Sequence, residues 1–249
     1  MKELEISLAA EKVGHIGAFP ITNTLIMSLA SVAVLVVLAL VLKRKVRLIP
    51  RGVQNVFEAL VDGAFSIMDG VTGSRAQSVK FFPLVFTLFL FILTSNWMGL
   101  LPGIGSIGIH EEVHGKEVLV PLFRSTNADL NVTLALAIIA VISIQIFGIL
   151  AVSAKKYGRK FFNFKNPIYT FVGIVELIGE FAKFISFSFR LFGNVFAGEI
   201  LLTVIAFLIP VIAPLPFMFL EIFVGAVQAF IFAILTLVFL KVATTAEEH

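Results

Sequence analysis

Two sets of residues in this chain could do chemistry. The first is a group of ionisable and amide side chains set inside long apolar runs. Glu176, Glu180, Lys183, Arg190, Asn194 and Glu199 fall between Pro167 and Ile209, and Glu221 and Gln228 fall between Phe217 and Val242. A charge at mid-bilayer depth costs about 2.5–3.5 kcal/mol on insertion scales. Arginine cannot avoid that cost by losing its proton, because its pKa stays above about 12. Carboxylates near such a fixed cation suit proton uptake and release, so the chemistry suggested is ion transfer. The second set is His110-Glu111-Glu112-Val113-His114. It fits the H-E-x-x-H pattern, in which a helix places two histidines on one face to bind zinc and the glutamate acts as base.

The first set has a geometry. At 100° per residue, Glu176, Glu180, Lys183, Arg190 and Asn194 fall within about 80° of one another on a helix. Ser186, Gly193 and Ala197 lie beside Arg190, and small residues let a neighbouring helix come close. Glu199 is half a turn away from Arg190 and about 13 Å further along, while Glu176 is on the arginine's side, about 21 Å back. Glu221 and Gln228 share a face of the last apolar run, seven residues apart. Two carboxylates toward one end, a central arginine and acids toward the other make a broken proton path. The plainer alternative is that these residues only pair with one another and glue helices together.

The elements that must hold these residues are membrane helices. Hydrophobic residues make up 59% of the 249 positions and charged residues 14%, and mean hydropathy is +1.03. A soluble chain is nearer 45–50% apolar and about 25% charged. The absence of cysteine excludes a disulfide framework, a thiolate metal site and a cysteine nucleophile. The 27 phenylalanines are not interleaved with basic residues, so no nucleic-acid partner is expected. No G-x-x-x-x-G-K-[ST] loop occurs, so no nucleotide site is expected, and no cofactor or metal.

Taken in order, residues 1–21 form an outer segment without a signal-peptide pattern. Residues 22–42 are long enough for a first span. The basic clusters Lys43-Arg44-Lys45-Val46-Arg47 and Lys155 to Lys165 mark the cytoplasmic side. The N-terminus is therefore expected outside and the C-terminus inside. Residues 51–71 carry Val53, Val56, Phe57, Leu60, Val61, Phe65 and Met68 at helical spacing, with Glu58, Asp62 and Asp69 elsewhere. This predicts an amphipathic helix in the cytoplasmic interface, or else a soluble helix packed on the basic loops. Residues 81–153 hold two spans, Phe81–Leu101 and Leu130–Ser153, around an outer loop over 102–129, with Trp97 as an interfacial anchor. Residues 167–242 form a long helical hairpin broken at Pro210 to Pro216. Its first arm is one steeply tilted helix about 64 Å long at 1.5 Å per residue, favoured over two spans turning near Gly193-Asn194. The expected fold is all-α: one polytopic membrane domain of about five transmembrane helices, the last two long and tilted, plus one interfacial helix.

Arg190-Leu191-Phe192-Gly193-Asn194 followed by Ala197-Gly198-Glu199 resembles the signature of the subunit a family of the F-type ATP synthases. Asn127-Ala128-Asp129-Leu130-Asn131-Val132-Thr133-Leu134 and Val227-Gln228-Ala229-Phe230-Ile231-Phe232 resemble two further segments of that family, and the likeness runs in order from about residue 20. The resemblance implies a non-catalytic stator subunit that conducts protons in a bacterial plasma membrane rather than a mitochondrial one. Its partners would be a ring of small hairpin rotor subunits (c-type), a peripheral-stalk subunit (b-type), the remaining ATP synthase subunits and the lipid bilayer. It also implies roles. Arg190 would face the rotor carboxylate and separate two aqueous half-channels. Asn194 and Gln228 would stand near it, Glu199 and Glu221 would line the outer half-channel, and Glu176 would lie on the inner path. Many bacterial relatives carry histidine where Glu221 stands, so this chain departs from the pattern there.

Two rival readings remain: an intramembrane zinc metalloprotease built on the histidine motif, and a stand-alone ion transporter. Glycines crowd the motif and its segment reads as an outer loop. Transporters often show inverted repeats, and none is found here. Elemental analysis of the purified protein is expected to find no stoichiometric zinc; zinc lost on His110→Ala would restore the protease reading.

Overall fold

The computed structural model describes residues 9–45, 51–101, 107–113, 116–161, 167–210 and 212–245. The elements in chain order are strands β1 (Lys12–Ile16) and β2 (Phe19–Thr22), helices α1 (Asn23–Lys45), α2 (Val53–Thr72) and α3 (Arg75–Gly99), strands β3 (Gly108–Val113) and β4 (Lys116–Pro121), a single 3-10 turn, and helices α4 (Leu130–Val152), α5 (Ala154–Phe161), α6 (Pro167–Leu208) and α7 (Pro214–Thr244). Five of these helices, α1, α3, α4, α6 and α7, are long and apolar enough to cross a membrane. The protein is an all-α polytopic membrane protein with two small hairpins added.

The run from Pro167 is one unbroken helix of 42 residues. It holds no proline after the first position, where proline is tolerated. At 1.5 Å per residue it extends for about 63 Å, twice the roughly 30 Å of a hydrocarbon core. No turn forms at Gly193-Asn194. The second span begins at Arg75 rather than Phe81. The polar first turn of α3 is anchored by the Arg75–Asp69 ion pair at 2.9 Å, so the helix runs beyond its apolar stretch.

The segments before α1 and between α3 and α4 are not plain coil. β1 and β2 pair antiparallel around Gly17, whose φ of +63° suits glycine. β3 and β4 also pair antiparallel, with His110 opposite Leu119 and Glu112 opposite Glu117. The zinc motif needs a helix, and residues 108–113 are a strand instead. His114 lies outside the described residues, as do the N-terminal Lys2, Glu3 and Glu5 and the tail from Ala246.

The chain divides into two compact units. One comprises Met1–Val46, Phe89–Thr133 and Arg190–Phe230. In it, α1 starts where the Thr22 hydroxyl accepts the Leu25 N–H at 3.3 Å. The start of α4 is capped by Asp129, whose Oδ1 accepts the Asn131 N–H at 2.9 Å while its Oδ2 accepts the Thr24 hydroxyl at 2.9 Å. The Trp97 indole donates to the Ile222 carbonyl at 3.1 Å, and its ring stays exposed, as an anchor at the membrane surface would.

The other unit comprises Arg47–Leu88, Leu134–Phe189 and Ile231–His249. Here the apolar face of α2 is divided. Phe65 stacks on Phe82 at 4.2 Å and Phe57 meets Phe86 edge-on at 6.1 Å, whereas Val53 and Val56 stay exposed. Part of the face expected to lie in lipid is therefore used to pack on α3. The Lys241 ammonium donates to the Val71 carbonyl at 2.6 Å and closes the C-terminal end of α2.

Asp129→Ala removes a helix cap and leaves the buried Thr24 hydroxyl without its acceptor, so it is expected to cost about 2 kcal/mol. Asp129→Asn keeps the cap and should cost less. Melting of the detergent-solubilised variants checks the order.

Candidate functional site

In the unit that holds Arg190, four of the six residues singled out from the sequence come together. A cavity of about 240 Å³ is lined by Asn194 and Glu199 from α6 and by Glu221 and Gln228 from α7. Asn96, Arg124, Ser125 and Thr203 complete its polar wall, and Leu100, Phe123, Leu202 and Val224 its apolar one. The two long helices are joined at this level by one short bond, from Asn194 Nδ2 to Gln228 Oε1 at 2.7 Å. Gln228 is buried, and its Nε2 has no hydrogen-bond partner among the described residues. A buried amide donor left in that state costs about 1–3 kcal/mol, so a polar cavity that can admit water is the physical answer to it.

Glu199 is held by Arg124. The Arg124 Nε donates to both carboxylate oxygens, at 3.1 and 3.4 Å. Glu221 lies against α6 at Gly198, where a Cβ would strike its carboxylate. Glycine at 198 is therefore what lets the second acid reach this wall. Asn96 donates to the Gly225 carbonyl at 2.9 Å and accepts from Asn127 at 2.7 Å, tying the floor of the cavity to α3.

Arg190 sits on the exposed face of α6, together with Gly193, Asn194 and Ala197. A Cβ built at Gly193 meets nothing within 4 Å. This is the small-residue face expected from the helical spacing. Glu176, the sixth residue, belongs to the other unit.

That unit has its own polar cluster, most of which sequence reasoning did not assemble. Glu180 accepts from Lys183 Nζ at 2.7 Å and from Gln145 Nε2 at 2.5 Å. Gln145 in turn accepts the Tyr157 hydroxyl at 2.6 Å. Gly148 makes room for the phenol: a Cβ there would stand 2.6 Å from the ring. Burial, and then the charges of Glu180 and Glu176, push the Tyr157 hydroxyl up to about 12.

Arg124, Asn96, Asn127, Gln145 and Tyr157 were missed as site residues. Arg124 carried a signal: a lone arginine five residues before the acid that opens a span. The amides carried none, because one asparagine or glutamine in an apolar run reads the same whether it faces a cavity or a neighbouring carbonyl.

Five membrane-length helices, with an acid- and amide-lined cavity between α3, α6 and α7 in one unit, define a polytopic membrane protein with a polar chamber. Residues 24–241 match the family described as ATP synthase A chain, and the chain belongs to that family. It is 38% identical over 216 residues to the ATP synthase subunit a of Campylobacter jejuni, covering 86% of each chain. It is 31% identical over 229 residues to that of Moorella thermoacetica, covering 92% of this chain and 94% of the relative. With the subunit a of Campylobacter fetus it shares 32% identity over 246 residues, 98% of this chain and 99% of the other.

Because the folded chain holds the Tyr157 proton more tightly than an unfolded one, stability is full below pH about 10 and falls as pH rises toward about 12. Tyr157→Phe should flatten that alkaline decline, and ultraviolet titration of the purified chain should lose its step near 12.

Proposed function

We propose that this chain is the proton-translocating stator subunit of a rotary ATP synthase, with Arg190 facing the carboxylate of a rotor ring. Protons would enter from outside through the cavity lined by Glu199, Glu221, Asn194 and Gln228. They would cross on the ring and leave along an inner path that includes Glu176. The basic clusters put the N-terminus outside and the C-terminus in the cytoplasm. The membrane is a bacterial plasma membrane, and the stator is steadied by a peripheral-stalk subunit.

The observation that carries this reading is the exposed placement of Arg190 beside open space at Gly193, one helical turn from the cavity wall at Asn194. Lipid is a poor neighbour for a guanidinium. A partner bearing an acid is a good one, because two opposite charges at close range in a low effective dielectric attract by about 4 kcal/mol. The cation favours the ionised form of an approaching rotor carboxylate and so makes it release its proton there. It also bars a direct proton wire between the two half-channels. Each proton crossing then supplies about 2.3 kcal/mol per 100 mV, which the ring delivers as rotation.

Arg190→Ala should abolish proton-driven ATP synthesis by the assembled complex in membrane vesicles, and synthesis at the parental rate would exclude the role. Since the chain has no cysteine, Gly193→Cys offers a single crosslinking point. It should capture a small hairpin subunit, whereas a stand-alone transporter would yield no such product and would conduct when purified alone in liposomes.

A further inference from the structure

Arg124 and Asp129 are the buried charged residues among those described, and Arg124 is only 7% exposed. Removing a charge from water is costly unless it is paired and hydrogen-bonded. Besides holding both oxygens of Glu199, Arg124 donates from Nη1 to the Ala9 carbonyl at 3.0 Å, and its guanidinium lies 5.9 Å from the Phe196 ring. The segment before β1 is thus drawn to the same cation that grips α6. That segment is fixed a second time by Asn23, whose N–H donates to the Glu11 carbonyl at 3.1 Å and whose Nδ2 donates to the Glu11 carboxylate at 3.3 Å. Glu11, two residues from Ala9, is half-buried. Burial holds its carboxyl above the usual carboxylate range, and the nearby Arg124 charge offsets only part of that rise. One arginine therefore grips an acid of α6 and the backbone two residues from a second acid.

We propose that Arg124 is a positioning residue of the outer cavity: it holds the Glu199 carboxylate at the wall, and it takes Glu11 as its counter-ion whenever Glu199 accepts a proton. This rests on the reading of Glu199 as a proton carrier. The step balances. A hydronium ion in the cavity gives its proton to a Glu199 oxygen and becomes water. Arg124 keeps its own proton, and its charge stays compensated by ionised Glu11. When Glu199 passes the proton on, the guanidinium returns to it. A merely structural Arg124 would need its hydrogen bonds to Ala9 and Glu199 but not the charge of Glu11.

The test is ATP-driven proton uptake by membrane vesicles carrying the whole complex, normalised to assembled complex. Arg124→Gln should slow uptake about tenfold, the scale of a lost charge-assisted hydrogen bond, and Arg124→Lys should restore most of the rate. Glu11→Gln keeps the acceptor for Asn23 and should still slow uptake several-fold. The double variant should be no slower than Arg124→Gln alone, because the two residues act as a unit. Parental rates in Arg124→Gln or in Glu11→Gln overturn the proposal, as do losses that multiply in the double variant. If Arg124→Gln fails to assemble, Glu11→Gln decides alone. Glu199→Gln separates the two levels. Uptake unimpaired in that variant sinks the underlying reading, whereas uptake lost there but intact in Glu11→Gln sinks only the role of Arg124.

Discussion

A polar group inside lipid must find its partner in the protein or in trapped water, and most of the structure around the cavity follows from that rule. Lipid tails are as apolar as leucine, so helices in a bilayer gain little from hiding apolar surface against one another. What holds them is packing and side-chain hydrogen bonding. In the unit containing the cavity, Thr24 with Asp129 links α1 to the start of α4, Asn127 with Asn96 and Gly225 links the segment before α4 to α3 and α7, and Asn194 with Gln228 links α6 to α7. Each bond joins segments far apart in sequence. Together they replace the hydrophobic core of a soluble domain and bring the functional side chains to one place.

The cavity is where that rule is deliberately left incomplete. The buried Gln228 donor and the Ser125 hydroxyl, both in its wall, have no hydrogen-bond partner among the described residues. A fully satisfied interface would be stiffer and would also be dry. Glycine at 198 admits the Glu221 carboxylate, and Arg124 holds both oxygens of Glu199. Stability is thus lower at this spot than it could be, in exchange for a polar chamber roomy enough to admit water beside the acids.

Much of this was legible in the residues. Membrane helices declare themselves by length and apolarity, so five spans follow from composition alone. The exclusion of a turn at Gly193-Asn194 follows from the lack of any breaker in the long run. Arg190 and Asn194 on a small-residue face follow from helical spacing. The two hairpins were not legible, because β1 to β4 are each too brief to show an alternating pattern. Nor were the contacts of Arg124, Gln145 and Tyr157, because long-range pairing leaves no periodic trace. The apolar stripe of α2 was read correctly as helical, but its spacing could not say that Phe57 and Phe65 are taken up by α3 while Val53 stays bare.

The open space at Gly193 has a mechanical meaning. Helices that interlock by ridges and grooves resist sliding, since every step forward must lift one row of side chains over another. One turn from Arg190, Gly193 raises no side chain into the open space beside it. In the proposed assembly that stretch would work as a plain bearing: smooth enough for a neighbour to glide past with little friction, and gripping it through charge only when an acid comes round.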